Sequence, residues 1–170
     1  SLAKENVEPV LECLRLCETH CKKVFNFIST LSACSSVDAA GYVLEAPARN
    51  TPPLYVKNGY NLCKWVAERL LGRAADLGAW VNIHRPGNIS FNGQNGACQP
   101  QKNRLMLMLK GSLQLGLAPR LEVNFDLMPV DFLARFIAFH GLHFDVGRNV
   151  FNLHNPEPLS WDQYLDAFSE

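Results

Sequence analysis

The chain has 170 residues, with 48% hydrophobic and 19% charged side chains. This composition is typical of a soluble globular protein, and the length suits one domain with a real core better than two. Sixteen basic and sixteen acidic residues cancel, so no net charge would recruit nucleic acid or an anionic membrane surface. The first residues do not resemble a signal peptide, and no apolar run is long enough to span a bilayer. We therefore expect a cytoplasmic protein.

The first predicted elements are a helix and a buried strand. Apolar side chains recur with a helical period over Glu5–Cys21, and Lys22 and Lys23 place positive charge at the negative end of that helix. The run Val24–Ile28 is typical of a buried parallel strand. The hydroxyl-rich run Ser29–Ser32 follows at the carboxyl end of this strand, which is where ligands bind in open α/β sheets.

A long loop separates this strand from a second helix and a second strand. Residues Ala33–Asn58 are rich in Ser, Gly, Pro and Asn, and a loop longer than about 15 residues is usually functional. We predict a helix from there to about Leu77, with Gly78 as its stop, and a strand over Trp80–His84. Strand, loop, helix and strand in this order form a βαβ pattern, which predicts an α/β protein with a parallel sheet.

The last part of the chain is predicted to contain three helices and two extended segments. They are a helix over Asn103–Leu115 that ends at Gly116, an extended run Leu127–Val130, a helix from an N-cap at Asp131 to about His140, a strand Asn149–Leu153, and a helix capped by Ser160. The apolar side of the last helix consists of Trp161, Tyr164, Leu165 and Phe168.

Three of the six cysteines recur every fourth residue in the first helix: Cys13, Cys17 and Cys21, with His20 beside the last. Zinc sites usually combine two closely spaced pairs of ligands, and no second pair follows here. Because unpaired cysteine is a common small buried residue, we favour buried reduced thiols over a metal site. The other three cysteines are scattered, which indicates reduced thiols in a reducing compartment: Cys34, Cys63 and Cys98.

The most informative pair is Tyr60 and Lys64. Side chains four residues apart on a helix lie on one face. A neighbouring cation favours the deprotonated form of a phenol, so such a pair can pass a proton to or from a carbonyl oxygen. The spacing alone also fits a surface tyrosine beside a solvated lysine, but the neighbouring motifs favour catalysis.

Three motifs carry a resemblance to a known family. They are the strand Val24–Ile28 with Ser29-Thr30, the helix Gly59-Tyr60-x-x-x-Lys64-Trp65-x-x-Glu68, and the run Arg85-Pro86-Gly87. Further matching runs lie at Lys110–Pro119, Met128–Asp131 and Phe151–Pro156. The chain resembles the extended short-chain dehydrogenase/reductases over nearly its whole length, and within them the thioester reductase group. These are the terminal reductase domains of nonribosomal peptide and polyketide synthetases and of carboxylic acid reductases.

The resemblance implies a partial Rossmann-type parallel sheet and a catalytic triad. Residues 1–92 would form the C-terminal half of the catalytic core, and residues 93–170 a small substrate-binding subdomain interleaved with it. Thr30 would donate a hydrogen bond to the substrate carbonyl, and Tyr60 would stabilise or protonate the developing oxyanion. Lys64 would bind the nicotinamide ribose and favour proton release by Tyr60. Ser29 or Ser32 could exchange roles with Thr30, or these hydroxyls could merely satisfy backbone groups at the strand end.

The resemblance also implies NADPH as the hydride donor. Its expected contacts are Ser29, Tyr60, Lys64, Pro86, Gly87 and Asn88. The last three fit a simple turn after a strand nearly as well. Arg85 would pair with a phosphate or a carrier group, or hold a structural carboxylate. Four histidines lack the spacing of a metal-binding motif and are expected to be structural or surface residues: His84, His140, His143 and His154.

The implied activity is NADPH-dependent reduction of an acyl or peptidyl thioester to an aldehyde or alcohol, with the substrate on a phosphopantetheinyl carrier domain. The family's glycine-rich turn, which holds the cofactor pyrophosphate, has no match in this sequence. We therefore expect a fragment that lacks the N-terminal half of the reductase domain and is inactive alone. Two alternatives stay open: another extended short-chain reductase or epimerase with a fatty acyl or nucleotide-sugar substrate, and a catalytically silent piece with a docking or structural role.

Overall fold

The computed structural model describes residues 2–47, 52–53 and 56–167. The chain divides into two compact units, one formed by the residues up to Pro86 and by Arg135–Leu153, the other by Gly87–Ala134 and the residues from His154 onward. The division at residue 92 that the sequence suggests stays a prediction. Phe168, expected on the last helix, lies outside the described residues. In the described part of the chain, no helix combines the length and apolarity needed to cross a membrane.

A three-stranded parallel sheet forms the centre of the first unit. Its order is β1 (Phe25–Ile28), β2 (Val81–Pro86) and β6 (Val150–Leu153). Phe25 pairs with Val81, and Ile83 pairs with Val150. The predicted α/β fold with a parallel sheet is confirmed. All six residues of β2 are buried, as expected for a central strand with both faces covered.

Among the described residues, three helices and part of a fourth belong to the same unit as this sheet. They are α1 (Leu2–Asn6), α2 (Glu8–Glu18), α3 (Gly59–Asp76) and residues 135–142 of α5 (Val130–Leu142). The helix expected over Glu5–Cys21 is present as α2, but α1 ends at Asn6, because Pro9 lies in the first turn of α2 and lacks the amide hydrogen that would continue α1. At the other end of α2, Lys23 Nζ donates to the carbonyls of Leu16 and Thr19 at 3.1 and 2.9 Å, as its position predicted.

The hydrophobic core of the first unit lies between α3 and one face of the sheet. Its buried members are Val10, Phe27, Ala67, Leu71, Val81, Ile83 and Val150. Every second residue of a strand points to the same face, so Val81 and Ile83 enter this core together. The same alternation directs Asn82 and His84 to the opposite face.

The expectation of buried thiols was wrong in the first helix. Cys13 is exposed and Cys17 is partly exposed, because α2 buries only Val10 and leaves most of its surface in water. Cys21 lies beyond the end of α2 and is also exposed. Cys34 and Cys63 are buried, and Cys98 is exposed. All six are free thiols. Within the described residues, no group of three or more histidine, cysteine or acidic side chains could hold a metal ion.

A buried polar cluster covers the second face of the sheet. Asn82 Nδ2 donates to Asn26 Oδ1 at 3.0 Å and to the His140 carbonyl at 2.9 Å. The Nε2 atom of His84 lies 3.1 Å from the same Asn26 oxygen. Since an amide oxygen only accepts, His84 is the donor here and its proton is on Nε2. The His84 ring stacks on Phe151 with centroids 5.3 Å apart.

In its described residues, the second unit contains two short strand pairs and two further helices. β3 (Asn88–Ser90) pairs in parallel with β5 (Leu127–Pro129), and β4 (Asn124–Phe125) pairs antiparallel with β7 (Leu159–Ser160). The helices are α4 (Arg104–Leu115) and α6 (Trp161–Asp166), and Ser160 caps α6 as predicted. Their core consists of Leu109, Trp161 and Tyr164.

The predicted N-cap at Asp131 was wrong, since α5 already begins at Val130. The carboxylate of Asp131 accepts a hydrogen bond from the Gly93 amide at 2.7 Å. Asp131 therefore lies within the first turn of α5 and holds the segment that follows β3.

We expect the protein to lose stability as the pH falls below about 6.5, because of His84. Burial, with a smaller effect of His140, lowers the pKa of His84 to about 4. The folded state therefore resists a proton that the unfolded chain accepts, so the stabilisation is present above pH 6.5 and declines as the pH falls towards 4. Between pH 7 and pH 5 the free energy of unfolding should fall by about 2 kcal/mol in urea denaturation.

The matched variants are His84→Gln and His154→Gln. The first stays neutral and should flatten the pH dependence, whereas the second changes an exposed histidine and should keep it. A His84→Gln protein with the full wild-type dependence would contradict the assignment to His84.

Candidate active site

Helix α3 places Tyr60 and Lys64 side by side. The helix starts at Gly59 because the Asn58 side chain accepts a hydrogen bond from the Asn61 amide at 2.8 Å and so caps its first turn. Tyr60 lies in that turn and its side chain is 47% exposed. The Lys64 ammonium lies 5.6 Å from the centre of the Tyr60 ring. The phenol thus faces solvent while the cation lies close to it.

The Lys64 ammonium is fixed at the end of β1. Its Nζ atom donates to the carbonyl of Ile28 at 2.8 Å and lies 4.8 Å from the centre of the Phe27 ring, which is the range of a cation–π contact. Burial lowers the pKa of Lys64, and the carboxylate of Glu68 acts in the opposite direction. Since an ammonium has three donors, Lys64 can hold Ile28 and still donate to a ligand.

Thr30 follows directly after β1 and is partly exposed. Its Oγ1 accepts a hydrogen bond from the Ser32 amide at 3.3 Å and thereby caps a short 3₁₀ turn over Leu31–Ala33. One of the alternatives that the sequence left open was that the Thr30 hydroxyl only satisfies a backbone group at the strand end. The accepting role leaves the hydroxyl proton of Thr30 available, so the same group can donate to a substrate oxygen.

Ser29 faces the interior instead. Its side chain is 4% exposed, and its hydroxyl donates to Glu68 Oε1 at 2.5 Å. This placement favours Thr30 over Ser29 for a contact with substrate. The cofactor contact expected of Ser29 stays a prediction.

A buried ion pair lies directly behind these residues. Glu68, on α3, and Arg85, on β2, are both 0% exposed at their side chains, and Arg85 Nη2 lies 2.6 Å from Glu68 Oε2. The Nε atom of Arg85 reaches both carboxylate oxygens at 3.0 and 3.2 Å. Of the two roles left open for Arg85, the described contacts are those of a cation that holds a structural carboxylate. Burial lowers the pKa of Arg85, but its hydrogen bonds and charge interaction with Glu68 prevail and keep that pKa above its ordinary value.

Glu68 is a residue of the candidate site for which the sequence predicted no role. It was part of the family motif, but no role was assigned to it. The available signal was its spacing, since Glu68 lies four residues after Lys64 and eight after Tyr60, on the same face of α3. A carboxylate that is buried requires a partner, and Arg85 supplies it.

Trp65 joins α3 to the segment that follows Thr30. Its indole Nε1 donates to Ser35 Oγ at 3.0 Å, and its ring packs on Ala33 in a small buried cluster. The Arg69 guanidinium lies 4.9 Å from the centre of the Trp65 ring. Helix α3 therefore holds both the strand end and the turn beyond it.

The remaining expected cofactor contacts fall in both units. Pro86 ends β2 and is buried, whereas Gly87 and Asn88 begin the second unit. A side chain at Gly87 would overlap the carboxylate of Asp126, whose backbone carbonyl accepts from the Asn88 amide at 3.1 Å. Glycine at position 87 thus has a packing reason, and the cofactor contacts of all three residues stay predictions.

The sequence of this chain matches a family of NAD-binding proteins described as male sterility protein over residues 1–137. The chain belongs to that family. Proteins similar to it include a linear gramicidin synthase component from Brevibacillus parabrevis, 31% identical over 98% of this chain. Another is the large subunit of L-2-aminoadipate reductase from Eremothecium gossypii, 28% identical over 99% of this chain. The chain spans only 3% of the first protein and 13% of the second.

This chain, a member of the male sterility protein family, is similar to solved structures of terminal reductase domains. The terminal R domain of the myxalamid PKS-NRPS pathway has a TM-score of 0.78 and 28% identity, covering 96% of this chain and 41% of that domain. A thiolation-reductase di-domain of an archaeal nonribosomal peptide synthetase has a TM-score of 0.75 and 25% identity, covering 96% of this chain and 36% of the di-domain. The predicted resemblance to terminal reductase domains is confirmed, and with it an oxidoreductase family.

The Glu68–Arg85 pair generates a prediction about stability. Glu68→Gln keeps the shape of the side chain but leaves the Arg85 cation buried without its counter-ion. Removing one partner of a buried pair should lower the free energy of unfolding by about 3 kcal/mol or more, measured by urea denaturation. The matched control is Glu12→Gln, which breaks the exposed pair with Arg15 at 3.0 Å and should cost less than about 1 kcal/mol. Equal effects of the two variants would contradict the prediction.

Proposed function

We propose that this chain carries the catalytic residues of an NADPH-dependent reductase that converts a carrier-bound acyl or peptidyl thioester to an aldehyde or alcohol. The observation that carries the proposal is the exposed Tyr60 phenol beside the Lys64 ammonium. They lie at a strand end where the Thr30 oxygen accepts from a backbone amide and its own proton remains available to a ligand. The similarity to reductase domains over nearly the whole chain supports the same reaction class. The activity of a whole protein is part of the proposal, because the chain spans less than half of those domains.

The residues of the first unit fit a nicotinamide ribose. Lys64 combines a fixed position, through the Ile28 carbonyl, with ammonium donors that remain for the ribose hydroxyls. Tyr60 presents a hydroxyl that both donates and accepts. NADPH, when bound, would supply the hydride. We propose Pro86, Gly87 and Asn88 as further contacts of the cofactor.

Tyr60 and Thr30 act on the substrate oxygen. When hydride adds to the thioester carbonyl carbon, the π electron pair moves to the oxygen, and the hydroxyls of Tyr60 and Thr30 stabilise the developing charge. Proton transfer from Tyr60 completes a hemithioacetal. Its C–O–H proton is then released as C=O forms again and the C–S bond breaks, and the leaving thiolate takes up a proton. The products are an aldehyde and a free thiol, and a second hydride would give an alcohol.

Lys64 keeps positive charge beside the phenol throughout. When proton transfer leaves a negative charge on the Tyr60 oxygen, the nearby ammonium attracts that charge. Glu68 helps to retain the positive charge, because it opposes the effect of burial on the pKa of Lys64.

The proposed partner is a phosphopantetheinyl carrier domain that presents the thioester. The support is the solved relative in which a thiolation and a reductase domain are joined. The proposal also includes the N-terminal half of a reductase domain as the source of the phosphate contacts, because this sequence has no glycine-rich turn.

Tyr60→Phe tests the assignment. In the full-length protein, this variant should lose at least about 100-fold in thioester reduction, because it removes the only proposed proton donor. Thermal unfolding should stay unchanged, since the exposed hydroxyl has no packing role. Tyr42→Phe, at a 74% exposed tyrosine, is the control and should retain activity. Full activity of Tyr60→Phe would overturn the proposal, and so would turnover of a nucleotide sugar with no turnover of an acyl-carrier thioester.

Thr30→Val and Thr30→Ser separate shape from hydrogen bonding. Valine keeps the volume but removes the donor, so kcat should fall about 100-fold, as for other oxyanion donors. Serine keeps the hydroxyl and should restore most of the rate. Steady-state kinetics on an acyl-carrier thioester measures both variants. Equal rates for the two would show that the Thr30 hydroxyl has no role in the reaction.

A further inference from the structure

A continuous set of hydrogen bonds links the segments that carry the candidate catalytic residues. The Ser29 hydroxyl donates to Glu68 at 2.5 Å, and Arg85 binds the same carboxylate at 2.6 to 3.2 Å. Ser29 immediately precedes Thr30 at the end of β1. Glu68 lies one helical turn after Lys64 on α3. A displacement of this carboxylate would therefore move both the strand end and the helix.

The same guanidinium holds the loop before α3. Arg85 Nη1 donates to the Leu44 carbonyl at 3.0 Å, and Nη2 donates to the Ala46 carbonyl at 2.9 Å. Asn152 on β6 supports this segment as well. Its side-chain Nδ2 donates to the Val43 carbonyl at 3.1 Å, and its backbone N–H donates to the Glu45 carboxylate at 2.8 Å. The segment Val43–Ala46 has no helix of its own. Besides a bridge between Val43 and Val37 and a hydrogen bond from the Leu44 amide to the Ser36 carbonyl at 3.0 Å, these side chains hold its position.

Stability alone does not account for this arrangement. Well-packed apolar side chains of similar volume are often as stable as a buried ion pair, or more stable. What an apolar pair lacks is direction: a planar guanidinium and a carboxylate fix the positions of their partners in several directions at once. Catalysis depends on such positions, since a displacement of about 1 Å can slow a reaction about 100-fold.

We propose that Ser29, Glu68 and Arg85 are positioning residues, which hold Thr30 and the segment Val43–Ala46 in register with Tyr60 and Lys64. This inference rests on the proposed function and deepens it. It also gives the Ser29 hydroxyl an action through Glu68 in place of a direct contact with the cofactor.

Ser29→Ala in the full-length protein tests the link to Thr30 and leaves the ion pair intact. In single-turnover reduction of an acyl-carrier thioester by NADPH, the rate constant should fall about 10-fold while the amplitude is retained. A merely structural role would instead lower the amplitude, because fewer molecules would be folded. Ser112→Ala is the control, since it also removes a buried hydroxyl, one that donates to the Met108 carbonyl at 2.9 Å. The control should keep the wild-type rate constant.

Arg85→Lys tests the loop without the need for a substrate. Lysine keeps the charge but lacks the planar fork. Hydrogen exchange should become faster, by about 10-fold or more, in peptides that cover Ser29–Cys34 and Val43–Pro47, while the core of α3 stays protected. If this variant does not fold, Ser29→Ala alone decides.

The outcomes separate the two proposals. A wild-type protein that reduces no acyl thioester overturns the proposed function, and the exchange experiment still reports on the loop. A Ser29→Ala rate constant equal to the wild-type value overturns the positioning role alone. Unchanged exchange at Val43–Pro47 in a folded Arg85→Lys protein does the same.

Discussion

The ion pair between Glu68 and Arg85 is the contact on which the first unit depends. Both side chains are 0% exposed, and removing two charges from water costs several kcal/mol for each ion. This cost is offset only when every donor and acceptor has a partner. The Ser29 hydroxyl and the Leu44 and Ala46 carbonyls meet that requirement. One electrostatic constraint therefore places a strand end, a helix and an irregular loop at the same time.

The parallel sheet explains why the candidate catalytic residues meet. Parallel strands end at the same edge of a sheet, and polar groups at that edge are free to act on a ligand. Thr30 follows β1 directly, while Tyr60 and Lys64 arrive on the helix that crosses from β1 to β2. The hydrogen bond from Lys64 to the Ile28 carbonyl joins two residues that are 36 positions apart in sequence. The sheet brings the groups together, and this bond sets their spacing.

Local sequence patterns predicted the helices and strands better than they predicted which side chains would be buried. The βαβ order and the cap at Ser160 have strong local signals, and the structure has them. The first helix was predicted as one because its apolar period continues through Pro9. The thiols of that helix were expected in the core, but periodicity reports only which residues share a side. It does not report how much of the helix a neighbour covers, and Val10 is the only residue of α2 that is fully buried.

The sequence by itself determined the α/β class, the shared face of Tyr60 and Lys64, and the family, because these depend on local spacing and on motifs. Only the tertiary structure decided that Ser29 faces inward, that His84 is buried among polar groups, and that Arg85 holds Glu68. The partners of Arg85 lie between 17 and 67 residues away in sequence. No local pattern specifies which of them it meets, because that choice depends on strand register and on how the helix packs across the sheet.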